Sequence, residues 1–258
     1  MPAIDYLPRR LYNAFSRGGF LSEPVKGLIA LQGNPEYVSY WDDFLGTRGG
    51  TWPASTPYAA TVGTGTEVIG ITQAVGGTMT LTTGANASDS AGQGFGLNWS
   101  GDRGFYFIAR CKLDTLATSK FEVGMTDAVG DDGAVTTKAT PAFTATDCAL
   151  FVRDTTEDTT ITFVSNGGTT DADADSAVAV VADTYFVVEV VCKGPTDTTG
   201  DNAAGFVNGV RAGSGNINGA SPLTPWFYAL TRTTATRTFT VDYWGCIGPR
   251  VAQWGVAS

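Results

Sequence analysis

No histidine occurs anywhere in the 258 residues, so the chemistry open to this chain rests on carboxylates, hydroxyls, thiols and aromatic rings. That absence removes the Ser-His and Cys-His nucleophile systems, His-ligated zinc and the usual general base near neutral pH. Retaining glycoside hydrolysis needs two carboxyl groups about 5 Å apart, one as nucleophile and one as acid. Glu23, Glu36, Glu67, Glu122, Glu157 and Glu189 are each a dozen or more residues from the next, and Glu189 has no carboxylate two or four positions away. Aspartates paired through space are the remaining route. No catalytic residue is assigned, and the chain is expected not to be an enzyme.

Metal and phosphate chemistry are weakly encoded. Asp171-Ala172-Asp173-Ala174-Asp175 begins like a calcium loop, but Ser176 stands where the turn needs Gly and Ala182 where a bidentate Glu belongs. Asp42-Asp43 and Asp131-Asp132 could supply calcium ligands, although solvated acidic loops are commoner. No metal and no cofactor is assigned. The run Gly92-Gln93-Gly94-Phe95-Gly96 lacks a following helix and the GK[ST] of a phosphate loop. Cys111, Cys148, Cys192 and Cys246 contain no CxxC pair and read as ordinary buried thiols. Trp52, Tyr58, Trp99, Trp226, Trp244 and Trp254 could stack on sugar rings or, more commonly, fill a core. Of these, Trp99 and Trp244 are the candidate glycan platform, because alternation along Thr238 to Tyr243 turns Phe239, Val241 and Tyr243 inward and Trp244 outward.

The elements that must position these groups are strands. Thirty-three glycines and few strong helix formers suit strands and turns. Phe105 to Leu113 places Phe105, Phe107, Ala109, Cys111 and Leu113 on one face; Tyr185 to Lys193 does the same with Phe186, Val188, Val190 and Cys192. Thr78 to Thr82, Lys120 to Met125, Ala149 to Arg153, Thr160 to Val164, Ala204 to Val210 and Trp226 to Leu230 are further strand candidates, separated by turn clusters such as Gly130-Asp131-Asp132-Gly133. This spacing predicts an all-β, antiparallel two-sheet sandwich. Residues 1–40 differ: Pro2, Pro8, Pro24 and Pro35 break regular structure while many apolar residues demand burial, which predicts an extended arm ahead of a sandwich over 41–258. The net charge of −9 disfavours nucleic acid and anionic membranes as partners. Nothing near Met1 has the form of a secretory signal, so a protein without export is expected.

The strand order resembles the concanavalin A-like, or laminin G-like, jelly-roll family. The landmarks are Trp41-Asp42-Asp43-Phe44, the strand Phe105 to Arg110, Phe121 to Asp127, Tyr185 to Val191, the hairpin signal Val207-Asn208-Gly209-Val210, and the closing Arg237 to Trp244. Within that family the Thr- and Gly-rich, histidine-free body behind a proline-broken arm looks most like virion proteins of tailed bacteriophages. The resemblance implies a structural role in the virion: a capsid decoration or cement protein bound to the major capsid protein or other virion subunits, and a homo-oligomer such as a trimer. On the arm, Arg9, Arg10 and Arg17 would pair with acidic patches of the shell, and Tyr6, Leu11, Tyr12 and Phe15 would anchor in its grooves. The alternative is a carbohydrate-binding module of a phage fibre or host-recognition device.

Overall fold

Alternating apolar residues give each strand one face that must leave water, and two sheets can satisfy this by closing on one another. A computed structural model describes residues 37–44, 60–72, 77–96, 99–138, 142–157, 160–167, 170–175, 179–194, 201–217 and 221–249. In chain order the strands are β1 (Tyr37–Asp42), β2 (Ala60–Thr64), β3 (Val68–Thr72), β4 (Thr78–Thr82), β5 (Ser90–Gly94), β6 (Trp99–Ser100), β7 (Phe105–Leu113), β8 (Ser119–Thr126) and β9 (Val135–Thr137). They continue as β10 (Ala142–Phe143), β11 (Asp147–Asp154), β12 (Thr162–Gly167), β13 (Thr170–Asp175), β14 (Phe186–Cys192), β15 (Ala203–Val207), β16 (Val210–Gly215), β17 (Pro222–Thr231) and β18 (Thr238–Pro249).

The first sheet runs β16-β15-β14-β7-β18-β4-β3, with β1 also on β18; the second runs β13-β12-β11-β8-β17-β5-β2, with β6 also on β17. Consecutive strands such as β4 and β5, β7 and β8, or β17 and β18 fall in opposite sheets, so the chain crosses repeatedly between layers. The expected two-sheet sandwich is present. Between the layers, Phe107, Val188, Val190, Phe239, Val241 and Trp244 of the first sheet meet Phe121, Val123, Phe151, Phe163 and Phe227 of the second. Aromatic rings set the spacing: Phe95 to Trp244 is 4.1 Å, Phe121 to Phe239 5.7 Å and Phe107 to Phe227 6.0 Å between centroids. All four cysteines are buried free thiols.

The hairpin signal at Val207-Asn208-Gly209-Val210 is realised: Asn208 (φ 49°) and Gly209 (φ 76°) make the left-handed pair of a tight turn that divides the strand candidate Ala204 to Val210 between β15 and β16. Asp171 to Asp175 lies in the edge strand β13. Strand β1 begins at Tyr37, inside the segment expected to be arm, because Tyr37 to Asp42 pairs in full with β18.

Gly124, at the centre of β8, shows how closely the second sheet is fitted. Its φ is +152°, and a Cβ there would lie 2.5 Å from both Ala149 O and Leu150 Cα. Backbone cannot retreat as a flexible side chain can. Gly124→Ala is therefore expected to destabilise the fold by about 3 kcal/mol, read as a thermal midpoint lower by roughly 6–12 °C; an unchanged midpoint would contradict the packing described here.

Candidate binding face

Each sheet turns one face away from the core, and the two outer faces differ. On the second sheet, Cys148, Leu150, Val152, Val164, Trp226, Tyr228 and Leu230 point outward yet are buried, because Ala134, Val135 and Ala145 of the β8–β11 connection pack over them. An ion pair holds this roof: Lys120 Nζ lies 2.8 Å from Glu122 Oε1, the two side chains 3% and 0% exposed. Glu122 also accepts hydrogen bonds from the amides of Ala134 (2.7 Å) and Val135 (3.1 Å) and from Trp226 Nε1 (2.9 Å). Lys120 donates to Val135 O, and Tyr228 Oη donates to Asp131 O at 2.6 Å. Gly133, at φ +78°, is needed where the roof crosses Glu122, since a Cβ there would sit 2.6 Å from Oε1. A carboxylate with this many donors is a structural anchor and not an open acid or base.

The outer face of the first sheet carries a row of partly exposed side chains. Its origin is a bulge in β18: Val241 opposes Cys111 and Tyr243 opposes Arg110, leaving Asp242 as an extra residue. Side-chain parity reverses there. Trp244 therefore turns into the core, and Tyr243 turns out, opposite to the expectation from simple alternation. Strand β1 follows the same division, with Tyr40 stacked on Trp244 inside (4.8 Å) and Trp41 stacked on Tyr243 outside (4.9 Å).

Beside Tyr243, Arg110 pairs with Asp242, their side chains 40% and 18% exposed. The Arg110 guanidinium lies 4.2 Å from the ring centroid of Tyr185, and Lys112 Nζ lies 5.4 Å from the same centroid while bonded to Asp183 at 2.5 Å. Trp41, Tyr243, Arg110 and Tyr185 thus form a continuous half-buried strip over β1, β18, β7 and the entry to β14. Burial raises the Tyr185 and Tyr243 pKa values, so both keep their hydroxyl proton. The strip borders a buried apolar cluster of Tyr106, Ile108, Val191, Phe206 and Ile247, against which Trp41 and Tyr243 pack. Glu189 accepts a 2.6 Å hydrogen bond from Tyr106 Oη there. Burial raises the Glu189 pKa, and the bond from Tyr106 offsets this only in part.

The glycan platform expected at Trp99 and Trp244 is not available. Trp99 is 5% and Trp244 0% exposed, both in the inter-sheet core, so neither ring offers a face to a sugar. Trp226 lies under the second sheet's roof. The expected docking residues Tyr6, Arg9, Arg10, Leu11, Tyr12, Phe15 and Arg17, together with Trp52, Tyr58 and Trp254, lie outside the described residues. Among the described residues no three Cys, Asp or Glu side chains assemble as a metal set. Asp42 Oδ1 instead accepts the Phe44 amide at 2.7 Å, and Asp131 and Asp132 lie exposed on the roof. Sequence reasoning missed Trp41, Arg110, Tyr185 and Tyr243 as a group. Their outward parity was readable for Arg110 and Tyr185, whereas the bulge that exposes Tyr243 left no separate signal.

No protein-family model matches the chain, and no curated protein matches its sequence. Solved structures do resemble it. A protein of unknown function, SO2946 from Shewanella oneidensis MR-1, aligns with TM-score 0.59 at 12% identity, covering 94% of this chain and all of its own. The carbohydrate recognition domain of Emp47p aligns with TM-score 0.51 at 10% identity over 83% of this chain and 95% of that one. That of Emp46p, in its potassium-bound form, aligns with TM-score 0.50 at 8% identity over 80% and 94%. The fold is a concanavalin A-like jelly roll. At these identities the likeness concerns architecture, not ligand.

Two substitutions test the electrostatics of the faces. Glu122→Ala leaves the Lys120 ammonium buried without its counter-charge and is expected to cost about 3–5 kcal/mol in chemical denaturation, with faster amide exchange over residues 130–136; loss within the range of an ordinary surface substitution would show that the roof is held otherwise. For Glu189, the raised pKa means that its contribution to stability is greatest below the ordinary carboxylate range and is lost as pH rises through the raised value. Glu189→Gln is expected to be more stable than the parent at neutral pH, the difference vanishing in acid; equal pH profiles for the two proteins would refute the assignment.

Proposed function

We propose that this protein is a non-catalytic carbohydrate-binding domain whose binding surface is the strip of Trp41, Tyr243, Arg110 and Tyr185. The observation that carries the reading is the strip itself: three aromatic side chains and a guanidinium, partly exposed and held in place by stacking and by the Arg110–Asp242 pair. Sugars present C–H patches that pack on aromatic surfaces and hydroxyls that bond to carboxylates and guanidinium groups. Aromatic residues provide that contact with little loss of side-chain freedom. Pairing leaves the strip close to neutral, with Arg110 against Asp242 and Lys112 against Asp183, which suits a neutral glycan. The carbohydrate recognition domains of Emp46p and Emp47p share the architecture, which adds support at the level of fold.

Catalysis is not part of the reading. Glu122 is saturated by donors beneath the roof, and Glu189 is buried and hydrogen-bonded to Tyr106. The sugar-binding reading stands ahead of capsid decoration because it rests on side chains that lie together on one face of the first sheet. A glycan array on the full chain tests the proposal. Binding is expected to one glycan class, weakened about tenfold or more by Trp41→Ala and by Arg110→Ala, since a stacking or charge-assisted contact carries about 1–2 kcal/mol. A silent array, or affinities untouched by both substitutions, would overturn it.

A further inference from the structure

Among the described residues the main paths of the two sheets end in four strands, with β1 and β6 as further edges beside β18 and β17, and three of the four path ends carry a device that discourages pairing with another chain. The edge β13, Thr-Asp-Ala-Asp-Ala-Asp, places an aspartate at every second position. The edge β16 carries Arg211, is bulged at Ala212, which has no opposite residue between Gly205 and Phe206 of β15, and packs against β12 and β13, which closes that side of the sandwich. The edge β2 has the Glu67 side chain lying across it: a Cβ on Gly63 would meet Glu67 Cγ at 2.5 Å. Charges, bulges and covering elements are the usual means of blunting an edge.

The fourth edge, β3, has none of these. Its sequence is Val68-Ile69-Gly70-Ile71-Thr72, without charge or proline, and among the described strands it pairs with β4 alone. Val68 is 60% exposed, among the most exposed large apolar residues described. Ile69 and Ile71 lie on the core side of the sheet, which turns Val68 and Gly70 to the outer face. The segment is also close to a palindrome about Gly70. In antiparallel pairing with an identical strand, Gly70 would oppose Gly70, Ile69 would oppose Ile71, and Val68 would oppose Thr72. Each apolar core position then meets an apolar core position, and the two ends pair one β-branched residue type with another. This is the self-complementarity that a two-fold interface requires.

We infer that β3 is a dimerisation edge: two copies of this chain join through antiparallel β3–β3 pairing, with the two-fold axis at Gly70, into one continuous first sheet. The occupant is a second copy because the pattern reads the same in both directions and no charge selects a different partner. Gly70 is the point of closest approach between the copies. Its outer side is open, since a Cβ there would meet only Thr80 Oγ1 at 3.6 Å within the subunit, and its backbone is accessible to any L-residue. Side chains can therefore be placed on the axis without disturbing the monomer.

Sedimentation velocity over a wide concentration range tests the inference. The wild-type chain is expected to approach twice its 26.9 kDa mass. Gly70→Lys sets two like charges against each other on the axis and is expected to weaken the dimer about tenfold or more. Gly70→Glu does the same alone, and an equimolar mixture of the two variants is expected to restore dimerisation through opposite charges. A substitution that merely damaged the fold would give no such rescue. As a second readout, directly opposed residues of an antiparallel pair have Cα atoms about 4.5–5.5 Å apart, within disulfide range. Because the four native thiols are buried, Gly70→Cys is expected to give one oxidised species of dimer mass on a non-reducing gel. A wild-type chain that stays monomeric at every concentration, or a dimer indifferent to Gly70→Lys together with no cross-link in the Gly70→Cys variant, would overturn the inference.

Discussion

One extra residue in β18 organises both the interior and the candidate binding surface. Asp242 is the bulge, and because side chains in a strand alternate with period two, a single inserted residue exchanges the faces of everything beyond it. Without it Trp244 would stand on the outer face and Tyr243 would enter the core. With it, Trp244 packs among Phe95, Phe227 and Tyr40. Tyr243 meets Trp41 outside, and Asp242 itself becomes the counter-charge of Arg110. Bulges commonly re-aim a side chain next to a functional surface, and here the re-aimed residue and the bulged residue both belong to the candidate surface.

The two outer faces illustrate how burial decides what a polar group can do. Lys120 and Glu122 are as reactive by type as Arg110 and Asp242, but they lie beneath the β8–β11 connection, where each polar atom must find a protein partner. Their hydrogen-bonding capacity is spent on the roof. Arg110 and Asp242 stand partly exposed on the outer face of the interior strands β7 and β18, where water competes for them and the pair adds little stability by itself. That makes them exchangeable: a ligand hydroxyl can enter their network by replacing water rather than by breaking a buried contact.

Much of the architecture was legible because it follows from period-two patterning. The inward rows of β7 and β14 were read residue by residue, and Asn208-Gly209 announced its hairpin through the backbone conformation those residues accept. The site was less legible for two physical reasons. A bulge leaves no compositional mark, so alternation carried through Asp242 assigned Tyr243 and Trp244 to the wrong sides. Which face of a sheet stays open depends on chain that arrives from elsewhere, and nothing in Lys120, Glu122 or Trp226 indicates that residues 131–135 will cover them. Tryptophan count was thus a poor guide: Trp99, Trp226 and Trp244 are all buried, and Trp41, read only as a landmark of fold, supplies the partly exposed ring.

The position of the strip relative to the β3 edge bears on how weak a site could still serve. In antiparallel strand pairing the local two-fold axis stands perpendicular to the sheet, so a dimer joined at β3 turns both outer faces of the first sheet to the same side. Each copy would then present Trp41, Tyr243, Arg110 and Tyr185 in the same direction, with the strips related by a half-turn and separated by β4 and β3 of both subunits. A shallow surface of this kind, with few buried polar contacts, binds a single glycan weakly. Against a surface bearing many copies of the glycan, however, the second contact becomes intramolecular, and the apparent affinity rises by orders of magnitude without any new interaction, about 10²–10⁴ where the spacing permits both sites to engage. In such a dimer the strip and the self-complementary edge, on one sheet, would be mechanically linked, because the edge would fix the direction in which both copies of the strip face.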